Sequence, residues 1–472
     1  MDLASSTAWR CHQATNHSIE SLRRNRHTLD WANQPRPYKR YVAPLPTVPL
    51  SVEAAADVFD LRLLSKLLML SAGITKHLTF PGGTMAFRAA ACTGALYHVE
   101  LYVVCGDLPG LAAGVYHFDV ERTCLTRLRE GDFRGVLAEA AGDDAIRYVP
   151  ATLAATSAWW RNAWKYQARA YRHAYWDSGT ILANLLAVAA EHELPAGIRA
   201  GFVDSAVNRL LDVEPAQEAA LELVPLGHPG PEAPPAPEVR RLGLETRPYS
   251  FNEIEYPLIG QAHQATSLAD VEDVARSAFK APPLEAARRF IDGPIDPVIR
   301  RRGSARRFAT SPVPHAILPV LANATGPLPA DWDGMPASMY VIVNAVDGLA
   351  SGAYFFDRER QVLDTLRLGE YRELARHLDL GQDLAGDAAL DVYFLADLAA
   401  VLDRFGERGY RAAQLDASIT AGKLYLASYA AGLAATGLTF FDDEVVDFFS
   451  PHAAGKSVMF LLAIGNRAPR LS

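Results

Sequence analysis

GVYHFDVERTCLTRLREGDFRGVL, residues 114–137, returns as GAYFFDRERQVLDTLRLGEYRELA, residues 352–375. The step from Gly114 to Gly352 is 238 positions, and upstream LYVV (101–104) meets MYVI (339–342) at the same offset. Downstream, RAYRHAYWDSGTILANLLAVAAEHELPAGIRAGFVD (169–204) meets RGYRAAQLDASITAGKLYLASYAAGLAATGLTFFDD (408–443), with the offset drifting by one. LELVPLG (221–227) meets MFLLAIG (459–465). Several blocks matched in one order make a duplicated domain.

Each copy reads as strand, turn, strand, helices and a closing strand. VELYVVCGD and SMYVIVNAVDG are β-rich runs bounded by Gly and Asp, and GVYHFDVERTCLTRL continues as a hairpin. DSGTILANLLAVAAEHEL opens on Asp and Ser and is apolar nearly all round, which predicts a fully buried helix starting at Asp177. Its partner, DASITAGKLYLASYAAGL, starts at Asp416 and is rich in Ala, Gly and Ser, which allows close helix approach. The two helices are expected to pack together at the junction of the copies; the alternative is burial of each in its own core. The first domain is expected over 1–228, with an N-terminal extension at 1–48. A Pro-rich linker is expected at 229–248, since GHPGPEAPPAPEVRR (227–241) suits an extended spacer. The second domain takes 249–472, and SLADVEDVARSAF (267–279) begins with a Ser N-cap.

Net charge is −8, which argues against a nucleic-acid partner. The most apolar windows are interrupted by polar residues well short of a membrane span. The start lacks an apolar stretch behind a basic end, and the four cysteines show no paired spacing. Reduced thiols and a cytoplasmic location are expected. CHQATNH (11–17) carries Cys11, His12 and His17, but zinc takes four ligands, so it reads as a polar N-terminal segment and no metal is expected.

RRGSARRF, residues 301–308, occurs in the second half only. Arginine forks around a hydroxyl match phosphate oxygens, and Gly303 lets backbone N–H groups approach the same anion. Taken alone, the motif reads first as a solvated basic turn or a salt-bridge cluster.

On these repeats and this motif the chain resembles the nitroreductase-like flavoproteins and, within them, the SagB/McbC-type FMN-dependent dehydrogenases, in tandem form. The resemblance implies an α+β fold in which the two copies make an intrachain pseudo-dimer, each with a central mixed or antiparallel sheet flanked by helices. It implies FMN, with the phosphate held by Arg302, Gly303, Ser304 and Arg306 and assisted by Arg467 of IGNRAPR. The family's ring-side loop, P-S-A-G-A-L-Y-P, corresponds to ACTGALYH (91–98), which puts Cys92, Thr93, Gly94 and Ala95 beside the isoalloxazine. The departures are Ala91, Cys92 and His98. The family's Lys-Tyr pair, implicated in azoline oxidation, corresponds to Lys165 and Tyr166. GLTFFDD matches the stretch whose backbone faces the ring's reactive edge, which implies Thr439 and Phe440.

The second copy departs from this pattern: its loop, PADWDGMP, keeps only Pro336, and Arg404 and Phe405 stand where the Lys-Tyr pair would be. Each copy thus retains one side of a single composite site, and the other site is expected to be empty. The activity implied is transfer of hydride from an azoline-like or other C–H/N–H substrate to the flavin, in peptide natural-product biosynthesis. Lys165 is the expected base, its charged form disfavoured by burial near Trp164, with Tyr166 positioning substrate or relaying the proton. Cys92 reads as a small buried stand-in for Ser. A small-molecule or peptide substrate and a peptide-modifying synthetase complex are the partners implied. The rival readings are an NAD(P)H-dependent nitro or quinone reductase and a non-catalytic flavoprotein scaffold.

Overall fold

The computed structural model describes residues 3–51, 58–80 and 83–469. The repeat that opens the sequence is a hairpin in each copy, Gly114–Asp119 with Cys124–Glu130 and Gly352–Asp357 with Val362–Leu368. Both hairpins shift register at equivalent places, between Val115 and Tyr116 and between Ala353 and Tyr354. Both tyrosines reach back four residues: the Tyr116 hydroxyl donates to the Ala112 carbonyl at 2.8 Å and the Tyr354 hydroxyl to the Ala350 carbonyl at 2.6 Å.

Each hairpin belongs to an antiparallel sheet. The first runs in the spatial order Thr47–Pro49, Cys124–Glu130, Gly114–Asp119, Val99–Cys105, Ala151–Ala158 and Glu218–Leu226. The second runs Val362–Leu368, Gly352–Asp357, Ala337–Val343, Leu390–Ala396, Ser457–Arg467 and Ala434–Gly437, and the short strand Phe308–Ala309 pairs with the end of Ser457–Arg467. The central strands Val99–Cys105 and Ala151–Ala158 are buried along their whole length, as their near-continuous apolar runs require.

The buried helices are longer than the sequence predicts. They span Ala170–Glu191 and Gly409–Ala430, so each starts seven residues before its aspartate. Asp177 and Asp416 are not caps but buried mid-helix residues with partners of their own. The two helices pack on each other, as their small residues allow. A Cβ placed on Gly179 would lie 1.9 Å from Ser418 Oγ, and one on Gly422 would lie 2.6 Å from Ala183 Cβ. This contact fuses the two copies into one core.

Two buried ion-pair clusters flank the contact, each crossing between copies. Arg169 and Arg172 reach Asp442 at 3.0 and 2.6 Å, while Arg408 and Arg411 reach Asp204 at 2.6 and 2.8 Å. Burial pushes the Asp442 carboxyl up, but Arg169 and Arg172 outweigh it and hold the group well below the usual carboxylate range.

The N-terminal segment corrects the reading of CHQATNH as a polar lead-in. HQAT occurs at 12–15 and again at 263–266, on the ends of the helices Thr7–Ala14 and Pro257–Ala265. Arg172 Nε donates to Thr15 Oγ1 and Arg411 Nε to Thr266 Oγ1, both at 2.9 Å. His12 is buried, within hydrogen-bond distance of the Tyr410 hydroxyl. The duplication therefore includes this segment, at an offset of 251 from His12 to His263. The stretch after the first copy lies along that copy: Ala233 N–H donates to the Arg147 carbonyl, and the Leu242, Gly243 and Leu244 amides donate to Asp212.

Candidate active site

Asp177 organises the loop 91–98. Its Oδ1 accepts from the Thr93 amide and hydroxyl, both at 2.8 Å, and its Oδ2 from the Cys92 thiol at 3.0 Å and His98 Nε2 at 2.8 Å. The other ring nitrogen of His98 meets Ser157 Oγ at 2.8 Å. Burial, reinforced by the Asp177 charge, pushes the Cys92 thiol well up. Cys92 is therefore a neutral hydrogen-bonding residue here, in keeping with a serine-like role. The loop turns through left-handed backbone, with φ of 63° at Gly94, 55° at Ala95 and 48° at Tyr97.

Gly94 also meets the Lys-Tyr pair. A Cβ on Gly94 would fall 2.8 Å from the Tyr166 hydroxyl, so glycine is required by space as well as by φ. Lys165 and Tyr166 close the helix Trp159–Tyr166. Burial, then the charge of Asp177, pushes the Tyr166 phenol up. Lys165 departs from expectation: it is half-buried, with its ammonium 5.2 Å from the Tyr166 ring centre. Trp164 does not enclose it, because its indole packs with Leu96 and Trp160 and donates to the Asp30 carbonyl at 3.0 Å.

The Tyr166 ring stands edge-on to His173, with centroids 4.7 Å apart. His173 bonds Asn162 Oδ1 at 2.8 Å and packs 4.8 Å from Trp176, which lies 6.0 Å from Phe440. Burial, then Arg169, holds the His173 imidazole well below its ordinary pKa, so it is neutral. The Phe440 side chain is thus a core residue. Thr439 Oγ1 lies 3.2 Å from His17 Nδ1.

The arginine motif meets the first copy. Arg302 donates from Nε to the Ala89 carbonyl at 2.9 Å and from Nη2 to the Arg88 carbonyl at 3.2 Å, just ahead of the ring-side loop. Ser304 Oγ accepts from the Tyr425 hydroxyl at 2.9 Å. The Tyr429 hydroxyl is buried and has no partner among the described residues. Around it, Gly303 would place a Cβ 3.9 Å away, and the Arg467 guanidinium lies 5.9 Å from its ring centre. Arg306 is exposed. An orphaned hydroxyl beside the glycine backbone, with the Arg467 guanidinium near its ring, fits a phosphate.

The symmetry-related position is filled. Asp204 and Asp442 each open a helix and each take the paired arginines, so they correspond, and Gly201 corresponds to Thr439. Asp331, from the stretch that replaces the ring-side loop in the second copy, accepts from the Ala200 amide at 3.0 Å and the Gly201 amide at 2.8 Å. Phe279 closes over Gly201, whose added Cβ would meet it at 2.7 Å. Among the described residues the Thr439 amide has no protein acceptor.

The sequence matches the Nitroreductase family over residues 69–228 and 299–466, one match per copy and well over half the chain. The chain belongs to the Nitroreductase family. It is an oxidoreductase, with two tandem copies of the fold. A crystal structure of a nitroreductase-type protein from Anabaena variabilis superposes with a TM-score of 0.81, covering 98% of this chain and all of that one at 26% identity. A nitroreductase-type protein of Methanocaldococcus jannaschii is 26% identical over 176 residues, which is 37% of this chain and 84% of that protein. A chain of the Escherichia coli microcin synthetase complex with truncated pro-MccB17 bound is 20% identical, with a TM-score of 0.32 over 46% of this chain and 74% of that one. Among the described residues no helix is long and apolar enough to cross a membrane.

In this nitroreductase chain the sequence reading missed Asp177 as the anchor of the loop, and also His17, Asn162 and His173. Pairing the copies position by position supplies the signal for two of these four: Asn162 and His173 correspond to Val401 and Ala412, both apolar, just as Tyr166 corresponds to Phe405.

Proposed function

We propose that the chain is an FMN-dependent dehydrogenase with one composite flavin site, acting on an azoline-like C–H/N–H bond of a peptide or small molecule. The observation that carries the single site is Asp331. Its carboxylate takes the amide of Gly201, whose counterpart at Thr439 has no acceptor among the described residues and is left for a ligand.

Bound FMN would supply the hydride acceptor. Arg302, Gly303, Ser304 and Arg467, with the Tyr429 hydroxyl, would hold its phosphate, and the backbone of Cys92–Ala95 and Thr439 would line its ring. Lys165 would accept the substrate proton at Nζ. The Tyr166 hydroxyl, held against Gly94, would orient the substrate. The buried core from His173 through Trp176 to Phe440 excludes water behind the site. Service within a peptide-modifying complex is part of the same proposal.

The second reading, an NAD(P)H-dependent nitro or quinone reductase, is favoured by the family match itself. Anaerobic bleaching of the flavin distinguishes the two. Bleaching by a thiazoline-containing peptide supports the dehydrogenase, and bleaching by NADPH alone, unaffected by Lys165→Ala, replaces it with the reductase.

A further inference from the structure

The duplication provides an internal control for the residue that reaches Thr439. His17 and Asp442 pair reciprocally through the backbone: the His17 amide donates to Asp442 Oδ2 at 2.7 Å, and the Asp442 amide donates to the His17 carbonyl at 3.1 Å. In the other copy Leu268 and Asp204 pair the same way, at 2.9 and 3.3 Å. The backbone clasp is therefore common to both halves, while the side chains differ. Leucine stands where Asp331 fills the site, and histidine stands where the Thr439 amide has no acceptor among the described residues. Gly201, the counterpart of Thr439, has no hydroxyl for a histidine to hold.

We infer that His17 is a positioning residue of the surviving site, holding the Thr439 hydroxyl so that the Thr439 amide faces the reactive edge of the flavin. This rests on the reading under Proposed function. A merely structural histidine would be needed for the clasp, yet leucine makes the same clasp. The imidazole also sits in costly surroundings: burial, then Arg169, drives its pKa down to about 3. It is thus neutral through the physiological range and can hold a hydroxyl without adding charge beside the ring. The N-terminal segment, far from the rest of the site in sequence, becomes a component of it.

The test uses the full chain loaded with FMN and four variants: His17→Leu, His17→Asn, Thr439→Val and the double change of His17→Leu with Thr439→Val. Leucine at position 17 is tolerated in principle, because Leu268 occupies the equivalent place. Substrate-driven flavin reduction should fall about tenfold in each single variant and no further in the double one, the mark of one shared interaction. Flavin content should stay within about twofold of wild type, and asparagine should restore part of the rate. A readout independent of turnover is the Thr439 amide resonance, whose shift on FMN addition should shrink in His17→Leu. Leu268→His should change neither rate nor resonance. Additive losses, or a wild-type rate and resonance in His17→Leu, overturn the inference while leaving the flavin site intact. A chain that takes up no FMN overturns both.

Discussion

Arg302, on the second copy, donates from Nε to the carbonyl of Ala89, on the first, at 2.9 Å. Ala89 stands two residues before the ring-side loop. The arginine motif and the loop are therefore tied together, although more than two hundred residues separate them in the chain. Two of the guanidinium donors are spent on carbonyls of the first copy, so Arg302 is a strap between copies, and in the proposed flavin site it would also form one wall of the phosphate pocket.

Arg302→Ala removes these charge-assisted bonds and leaves two carbonyls without a partner. The loss is about 1.5–3 kcal/mol, and FMN affinity should fall about ten- to hundredfold, read by flavin fluorescence titration. Ser304→Ala should cost less, because its hydroxyl is neutral and the residue is exposed. An unchanged affinity in Arg302→Ala would remove the motif from the site.

Stoichiometry tests the filled position. The yellow protein should release one FMN per chain on heating, because Asp331 and Phe279 occupy the counterpart of the open site. A ratio near two would show that the second position also binds flavin.

Lys165→Ala and Tyr166→Phe should leave flavin content nearly unchanged, since neither residue touches the arginine motif. Reduction by the thiazoline peptide should fall about 10²–10⁴-fold for the lysine change and less for the tyrosine. Arg404→Ala should do nothing, because Arg404 is exposed and pairs with exposed Asp333. Absence of bleaching by any donor in the wild type would mark a scaffold.

Gly179→Val probes the seam between copies. The new side chain would overlap Ser418, so stability should drop by about 1–3 kcal/mol. Flavin should be lost with it, and thermal melts with and without FMN read both effects. A wild-type melting point would mean that the two helices can part without cost.

Glu222 makes stability depend on pH. It is fully buried and bonded to Ser178, its Oε2 has no partner among the described residues, and burial pushes its pKa up to about 8. The folded state therefore holds this proton more tightly than the unfolded chain, whose carboxyl titrates at about 4.3. Its contribution to stability is full below about pH 4 and declines as pH rises to about 8, by ~1.4 kcal/mol for each tenfold difference in proton affinity. Glu222→Gln should flatten that decline and melt above wild type at pH 9. Parallel stability profiles for the two proteins would refute the assignment.

The amino-acid sequence by itself determined the duplication, the hairpins and the close-packing helices, and it led to the proposed division of site residues between copies. These are written in local patterns: turn residues, apolar periodicity, and Gly, Ala and Ser where Gly179 meets Ser418 and Gly422 meets Ala183. The tertiary structure alone decided what Asp177, Asp331 and His17 touch. Asp177 looks like a helix cap in sequence, but it lies seven residues inside its helix and holds a loop some eighty positions away. Asp331 sits in a stretch that had merely lost a motif, and only the fold sets its carboxylate on the amides of Ala200 and Gly201. HQAT escaped notice because unequal loops change the repeat offset from 238 to 251, which hid the pairing of His17 with Leu268. Local propensities are fixed by neighbouring residues, whereas each of these roles depends on a contact between distant segments that exists only once the chain has closed on itself.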